Sequence, residues 1–148
     1  MKMKIHKLVF SPIEVNTYIL SDDSGDCAII DCGCYDRAEF AILTRYLEKH
    51  GLNPVLLLNT HCHLDHVFGN GFMLEKYSLK THSSEGDETN RLKAVQHASL
   101  FGLKMNEPPA PEEFLTDGQI IKTGNITLRT MHVPGHSAGS MAFYSEEN

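Results

Sequence analysis

The chain has 148 residues, 41% hydrophobic and 22% charged, with 13 Lys+Arg against 19 Asp+Glu for a formal net charge of −6. That composition suits a soluble globular unit with an apolar core and excludes a disordered chain. An acidic balance with no basic run argues against a nucleic-acid partner, and no apolar run approaches the length that spans a bilayer.

Residues 3–10 read as a half-buried strand from their polar–apolar alternation. They follow directly on the N-terminus with no signal-peptide core, which favours the cytoplasm. Ser11-Pro12 ends the strand. Residues 15–20 and 27–30 give two more, separated by a Ser-, Asp- and Gly-rich turn over 21–26. Three strands on short turns predict an antiparallel meander. A helix over 36–50 then carries Phe40, Leu43 and Leu47 on one face, with Gly51 and Pro54 as its stop.

Strand 55–59 runs straight into Asn59-Thr60-His61-Cys62-His63-Leu64-Asp65-His66. Beyond it, residues 67–77 read as a short helix and 79–82 as a short strand. Residues 87–104 read as a polar-rich helix, with Ser83 and Ser84 as candidate caps. Pro108-Pro109-Ala110-Pro111 is a stiff break. Too little chain follows it for a second domain, so residues 1–148 are expected to form one. Strands over 119–122 and 126–131 flank a Thr123-Gly124-Asn125 turn, and Ser140 to Ser145 starts another. Cys27, Cys32, Cys34 and Cys62 contain one C-x-C pair but no second pair, so they read as small buried thiols rather than a structural zinc cluster.

The dense chemistry lies in the histidine stretch. In extended backbone His61 and His63 project to the same side and can hold one cation. Asp65 and His66 follow in turning chain and reach a neighbouring position. Imidazole and carboxylate suit Zn²⁺, Fe or Mn, and the pattern fits two adjacent sites better than one. In a chain of this composition, H-x-H-x-D-H arises by chance on the order of once in a thousand. His136, after Pro134-Gly135, is the candidate third ligand of the first site, with Gly135 letting the backbone come close. His132 reads as structural. Cys62 alternates away from its flanking histidines, and His6, His50, His82 and His97 have no ligand-like neighbours.

The stretch from Thr60 to His66, with Pro134-Gly135-His136-Ser137-Ala138-Gly139-Ser140, resembles the metallo-β-lactamase superfamily, particularly its glyoxalase II-like (hydroxyacylglutathione hydrolase-like) members. Asn16-Thr17-Tyr18 and Ile29-Ile30-Asp31-Cys32-Gly33 add to the likeness, which runs from about residue 5 to the end. The resemblance implies an α+β fold, an αββα four-layer sandwich with a binuclear metal centre at one edge of the two sheets. It implies His61, His63 and His136 for the first metal, and Asp65 and His66 for the second. Two zinc ions are expected, with Fe or Mn as alternatives; about 3.5–4 Å apart, they supply a hydroxide at neutral pH and polarise the scissile carbonyl. Asp65 is the expected catalytic residue, orienting the nucleophile or moving a proton. Asp31 matches the family's structural aspartate beside the site.

The superfamily also has a later strand ending in Gly-Asp, whose Asp bridges both metals, and a final His ligand. The sequence reaches Glu146-Glu147-Asn148 without them. The expectation is an incomplete domain, lacking the last strands and helix of its second half, whose exposed sheet edge invites a homodimer. The expected activity is zinc-dependent hydrolysis of a small-molecule ester or thioester such as a glutathione thioester. An iron-dependent persulfide dioxygenase of the same fold is one alternative, separable by iron content and oxygen uptake. A non-catalytic metal-binding or interaction protein is another; it would keep its partner after His61→Ala and His63→Ala.

Overall fold

Alternation and short turns give the first three strands, and they pair as expected. In the computed structural model, which describes residues 2–146, β1 (Lys4–Phe10), β2 (Val15–Ser21) and β3 (Asp26–Ile30) form an antiparallel meander. Helix α1 (Arg37–Lys49) starts where the Asp36 carboxylate accepts the Glu39 N–H at 2.9 Å, satisfying a donor the helix cannot use itself. It buries Phe40, Leu43 and Leu47 as their spacing predicts.

After α1 the pairing turns parallel. β4 (Asn53–Leu58) joins β3, β5 (Thr81–Ser84) joins β4, and β6 (Glu113–Leu115) joins β5. Among the described residues the sheet order is β1-β2-β3-β4-β5-β6. A second, antiparallel sheet holds β7 (Ile120–Thr123), β8 (Ile126–His132) and β9 (Met141–Tyr144).

Leu56, Leu57 and Leu58 are all buried because β4 is covered on both faces, as parallel strands are. Leu57 packs with Phe40, Leu43, Leu47 and Met73, the last from helix α3 (Asn70–Tyr77). Leu56 and Leu58 pack on the other side with Ile121, Ile126, Leu128 and Met141 of the smaller sheet. The layers are therefore helices, large sheet, small sheet. Among the described residues nothing covers the outer face of the small sheet, and Ile120 and Tyr144 are each 48% exposed. No helix among the described residues is long and apolar enough to cross a membrane.

Three expectations need correction. The helix over 67–77 is two pieces, α2 (Leu64–Val67) and α3, so Asp65 and His66 are helical. The break falls at Phe68-Gly69, where Gly69 N–H donates to the Cys32 carbonyl at 2.8 Å and an added Cβ would sit 2.5 Å from Cys32 Sγ. The helix over 87–104 is a 3₁₀ turn (Glu85–Asp87) followed by α4 (Glu88–Leu92) and α5 (Ala94–Leu100). Ser84 caps that turn by accepting the Gly86 N–H at 3.2 Å, while Ser83 is buried within β5. β6 was not expected: only Leu115 of its three residues is buried, so no alternation marks it.

Candidate metal centre

β3 and β4 run parallel with Ile30 opposite Leu58, so both strands end at the same level. There the chain delivers Asp31 on one side and Asn59-Thr60-His61 on the other. Asp31 has φ 57°, a left-handed conformation costly for a residue with a side chain. It is held there by its N–H on the Leu58 carbonyl (2.9 Å) and by Thr17 Oγ1 donating to its carbonyl (2.7 Å).

That conformation aims the Asp31 carboxylate into the site. Oδ1 accepts the Thr60 N–H (2.8 Å) and Asn59 Nδ2 (3.2 Å), and Oδ2 accepts the Thr60 hydroxyl (2.6 Å). His66 Nδ1 lies 2.9 Å from the same Oδ2. Asn59, fully buried, also donates to the His66 carbonyl (2.7 Å) and accepts from Asn70 Nδ2 (2.9 Å) and Thr81 Oγ1 (2.7 Å), so its amide has a partner for every donor and lone pair.

Thr60 sets the His61 tautomer. Its single hydroxyl proton goes to Asp31, and His61 Nδ1 lies 3.0 Å from the same oxygen, so Nδ1 must carry a proton and donate it. Nε2 is then left with a bare lone pair. It is buried and has no hydrogen-bond partner among the described residues. A buried acceptor without a partner costs stability unless something else binds it.

The other histidines complete the opening. His63 Nδ1 and His136 Nε2 are 3.0 Å apart, and ligand atoms of His61, His63 and His136 all lie within 4.8 Å of one another. The His66 ring packs 3.9 Å from that of His61, and Asp65 Oδ2 lies 3.6 Å from His66 Nε2. Burial above all, with His66 beside it, pushes His61 down to about 4, so its ring is neutral at physiological pH. Burial and the neighbouring His136 lower His63 as well. Burial also opposes charge on His66, but the Asp31 contact and the Asp65 charge outweigh it and raise its pKa. Neutral imidazoles with a carboxylate beside them are a donor set that fits a divalent transition metal.

His136 comes from the β8–β9 loop, which is tied down at several points. Met141 N–H donates to the Thr60 carbonyl (2.8 Å), Val133 N–H to the Ser140 carbonyl (2.8 Å), and His132 Nε2 lies 2.9 Å from the Ala138 carbonyl, a structural contact. Gly139 N–H donates to Asp87 Oδ1 at 2.8 Å, and an added Cβ on Gly139 would lie 2.6 Å from Asp87 N. Gly139 is thus the glycine that admits a close approach. Gly135 is not: an added Cβ there would meet nothing within 4 Å. Asp87 Oδ2 also accepts the Cys62 N–H at 2.6 Å. Sequence reasoning passed over Asp87, which sits in a polar stretch with no local pattern to distinguish it.

The sequence profile of the metallo-β-lactamase superfamily matches residues 11–148. The chain belongs to the metallo-β-lactamase superfamily. Among its superfamily relatives, it is 29% identical to a probable metallo-hydrolase, YqgX, of Bacillus subtilis, over 98% of this chain and 67% of that protein. It is also 29% identical to the hydroxyacylglutathione hydrolase GloC of Haemophilus influenzae, over 98% of this chain and 68% of that one. The crystal structure of TTHA1623 in a di-iron-bound form superposes with a TM-score of 0.81 at 30% identity, covering 95% of this chain and 66% of the other. The chain spans about two thirds of the length of these relatives.

Proposed function

We propose that the protein is a metal-dependent hydrolase of esters or thioesters. In this reading His61, His63 and His136 hold one ion, and Asp65 and His66 contribute to a second. The observation that carries it is the bare, buried Nε2 of His61, aimed at the place where two further imidazoles converge. Zinc is the leading ion on its donor preferences, and the similarity to a di-iron protein keeps iron in view.

Ions bound there supply Lewis acidity and make hydroxide available at neutral pH. The chain's own residues do the rest. Asp31 and Thr60 fix the proton on His61 Nδ1, so the ring presents Nε2 without reorganisation. In this reading Asp65, half-buried beside His66, orients the attacking water and accepts its proton, a role its nearness to His66 supports. The named relative from Haemophilus influenzae supports a thioester such as a hydroxyacylglutathione as substrate. Among the described residues β9 pairs with β8 alone, and that edge with the exposed Ile120 and Tyr144 supports a homodimer along the small sheet; a monomer by sedimentation at high concentration would overturn that.

Zinc titration of the metal-free chain, followed by calorimetry, tests the central claim. Tight binding that His61→Ala abolishes is expected, together with thioester turnover that depends on added metal. A chain that binds no ion tightly would overturn it.

A further inference from the structure

Beside the histidine cluster lies a cavity of about 360 Å³ that counts His63 and Asp65 among its lining residues. Its walls are apolar and come from distant parts of the chain. Ile13 belongs to the β1–β2 turn, Leu64 begins α2, and Leu100 and Phe101 end α5. Phe101 is 65% exposed and Leu100 81%, although each would gain from burial. Scattered exposed apolar side chains are ordinary. Several that converge on one concave surface, next to a cluster of polar site residues, have the make-up of a ligand pocket.

Among the described residues the lining contains no lysine or arginine, and His97 is its one ionisable group besides His63 and Asp65. A carboxylate seated against Ile13, Leu100 and Phe101 would lose water and find no side-chain cation among the apolar walls. An uncharged hydrocarbon group would displace water from Leu100, Phe101 and Ile13 and place its attached carbonyl at His63 and Asp65.

We infer that this cavity receives an uncharged apolar acyl group, so that the preferred substrates are medium-chain aliphatic or aromatic esters and thioesters. The inference rests on the hydrolase reading for its reaction. Water adds across the acyl–oxygen or acyl–sulfur bond, which breaks to give a carboxylic acid and an alcohol or thiol. The cavity selects the acyl side of that bond.

Two measurements on the full chain separate this inference from the hydrolase reading. In the first, the zinc-loaded chain is assayed with p-nitrophenyl acetate, butyrate and hexanoate. kcat/KM should rise by up to about fourfold per added methylene that the cavity buries, and the slope should flatten in the Leu100→Ser, Phe101→Ser double variant. Turnover with no dependence on acyl length overturns the inference and leaves the hydrolase reading standing. In the second, the metal-free chain is titrated with neutral hexanamide and acetamide while backbone amide signals are followed by NMR. Hexanamide should shift the signals of Ile13, Leu100 and Phe101, and acetamide should not. Those shifts without turnover of any ester would support the cavity and overturn the hydrolase reading; their absence would overturn the cavity.

Discussion

Asp87 Oδ2 accepts the Cys62 N–H at 2.6 Å, inside the histidine stretch, while Oδ1 accepts the Gly139 N–H on the loop that carries His136. One buried carboxylate therefore sets the spacing of two segments that meet only in the folded state. Burial alone would raise its pKa, but the Cys62 and Gly139 amides, with Ser137 and Asn90, outweigh that and hold it below the usual carboxylate range. Asp87→Ala strands two buried N–H groups and is expected to cost roughly 2–5 kcal/mol, read as a lower urea midpoint. Asp87→Asn keeps one acceptor but turns a donor toward an amide, so it should fall between wild type and alanine.

Thr60 is expected to act on metal affinity through the His61 tautomer. Thr60→Val removes the hydroxyl that accepts from His61 Nδ1, and His61 is then free to place its proton on Nε2. Zinc affinity, measured by competition with a chelator, should drop by about 10- to 100-fold. Thr60→Ser, which keeps the hydroxyl, should restore most of it. Equal losses in both variants would count against the relay.

The metal-free chain should lose stability as pH falls from about 6.5 to 4. An unfolded histidine takes up a proton near 6.5, whereas burial holds His61 down to about 4 in the fold. Between those values the unfolded state binds a proton that the folded state does not, so stability falls with falling pH. His63 is shifted the same way. His66 is shifted upward, so its contribution is full below 6.5 and is lost as pH rises through its folded value. Urea midpoints across pH 4–8 test this, and His61→Gln should shallow the acid-side slope.

The four thiols should be silent in the native protein. Cys27, Cys32, Cys34 and Cys62 are all free and buried. Burial pushes Cys27 and Cys62 up to about 12. The hydrogen bond with Cys32, together with burial, drives Cys34 up strongly. Thiolate is the reactive form, so a thiol reagent at pH 8 should titrate the cysteines only after urea is added. Fast labelling of the native chain would contradict the packing.

Much of the layout was legible because it rests on local periodicity. The β1–β3 meander, the α1 face of Phe40, Leu43 and Leu47, and the β7–β8 hairpin around Gly124 all show it. Where burial is decided at long range, the pattern fails. β6 is defined by its pairing with β5, and the break at Gly69 by the pressure of Cys32. The histidine stretch was legible from residue types and spacing. Its supports were less so: the partners that mark Asn59 and Asp87 as supports of the site include Thr81, Cys62 and Gly139, 22 to 52 positions away, beyond any local pattern.

His63 and His136 stand 73 positions apart in the chain, one following the large sheet and the other on the small sheet's loop. An ion shared between them would act as a removable cross-link. A closure of that length restricts the unfolded chain by about 4 kcal/mol in the chain-entropy picture. Occupancy of the site and cohesion of the two sheets are then the same variable, so withdrawing the ion would loosen the sandwich at the seam where its two halves meet.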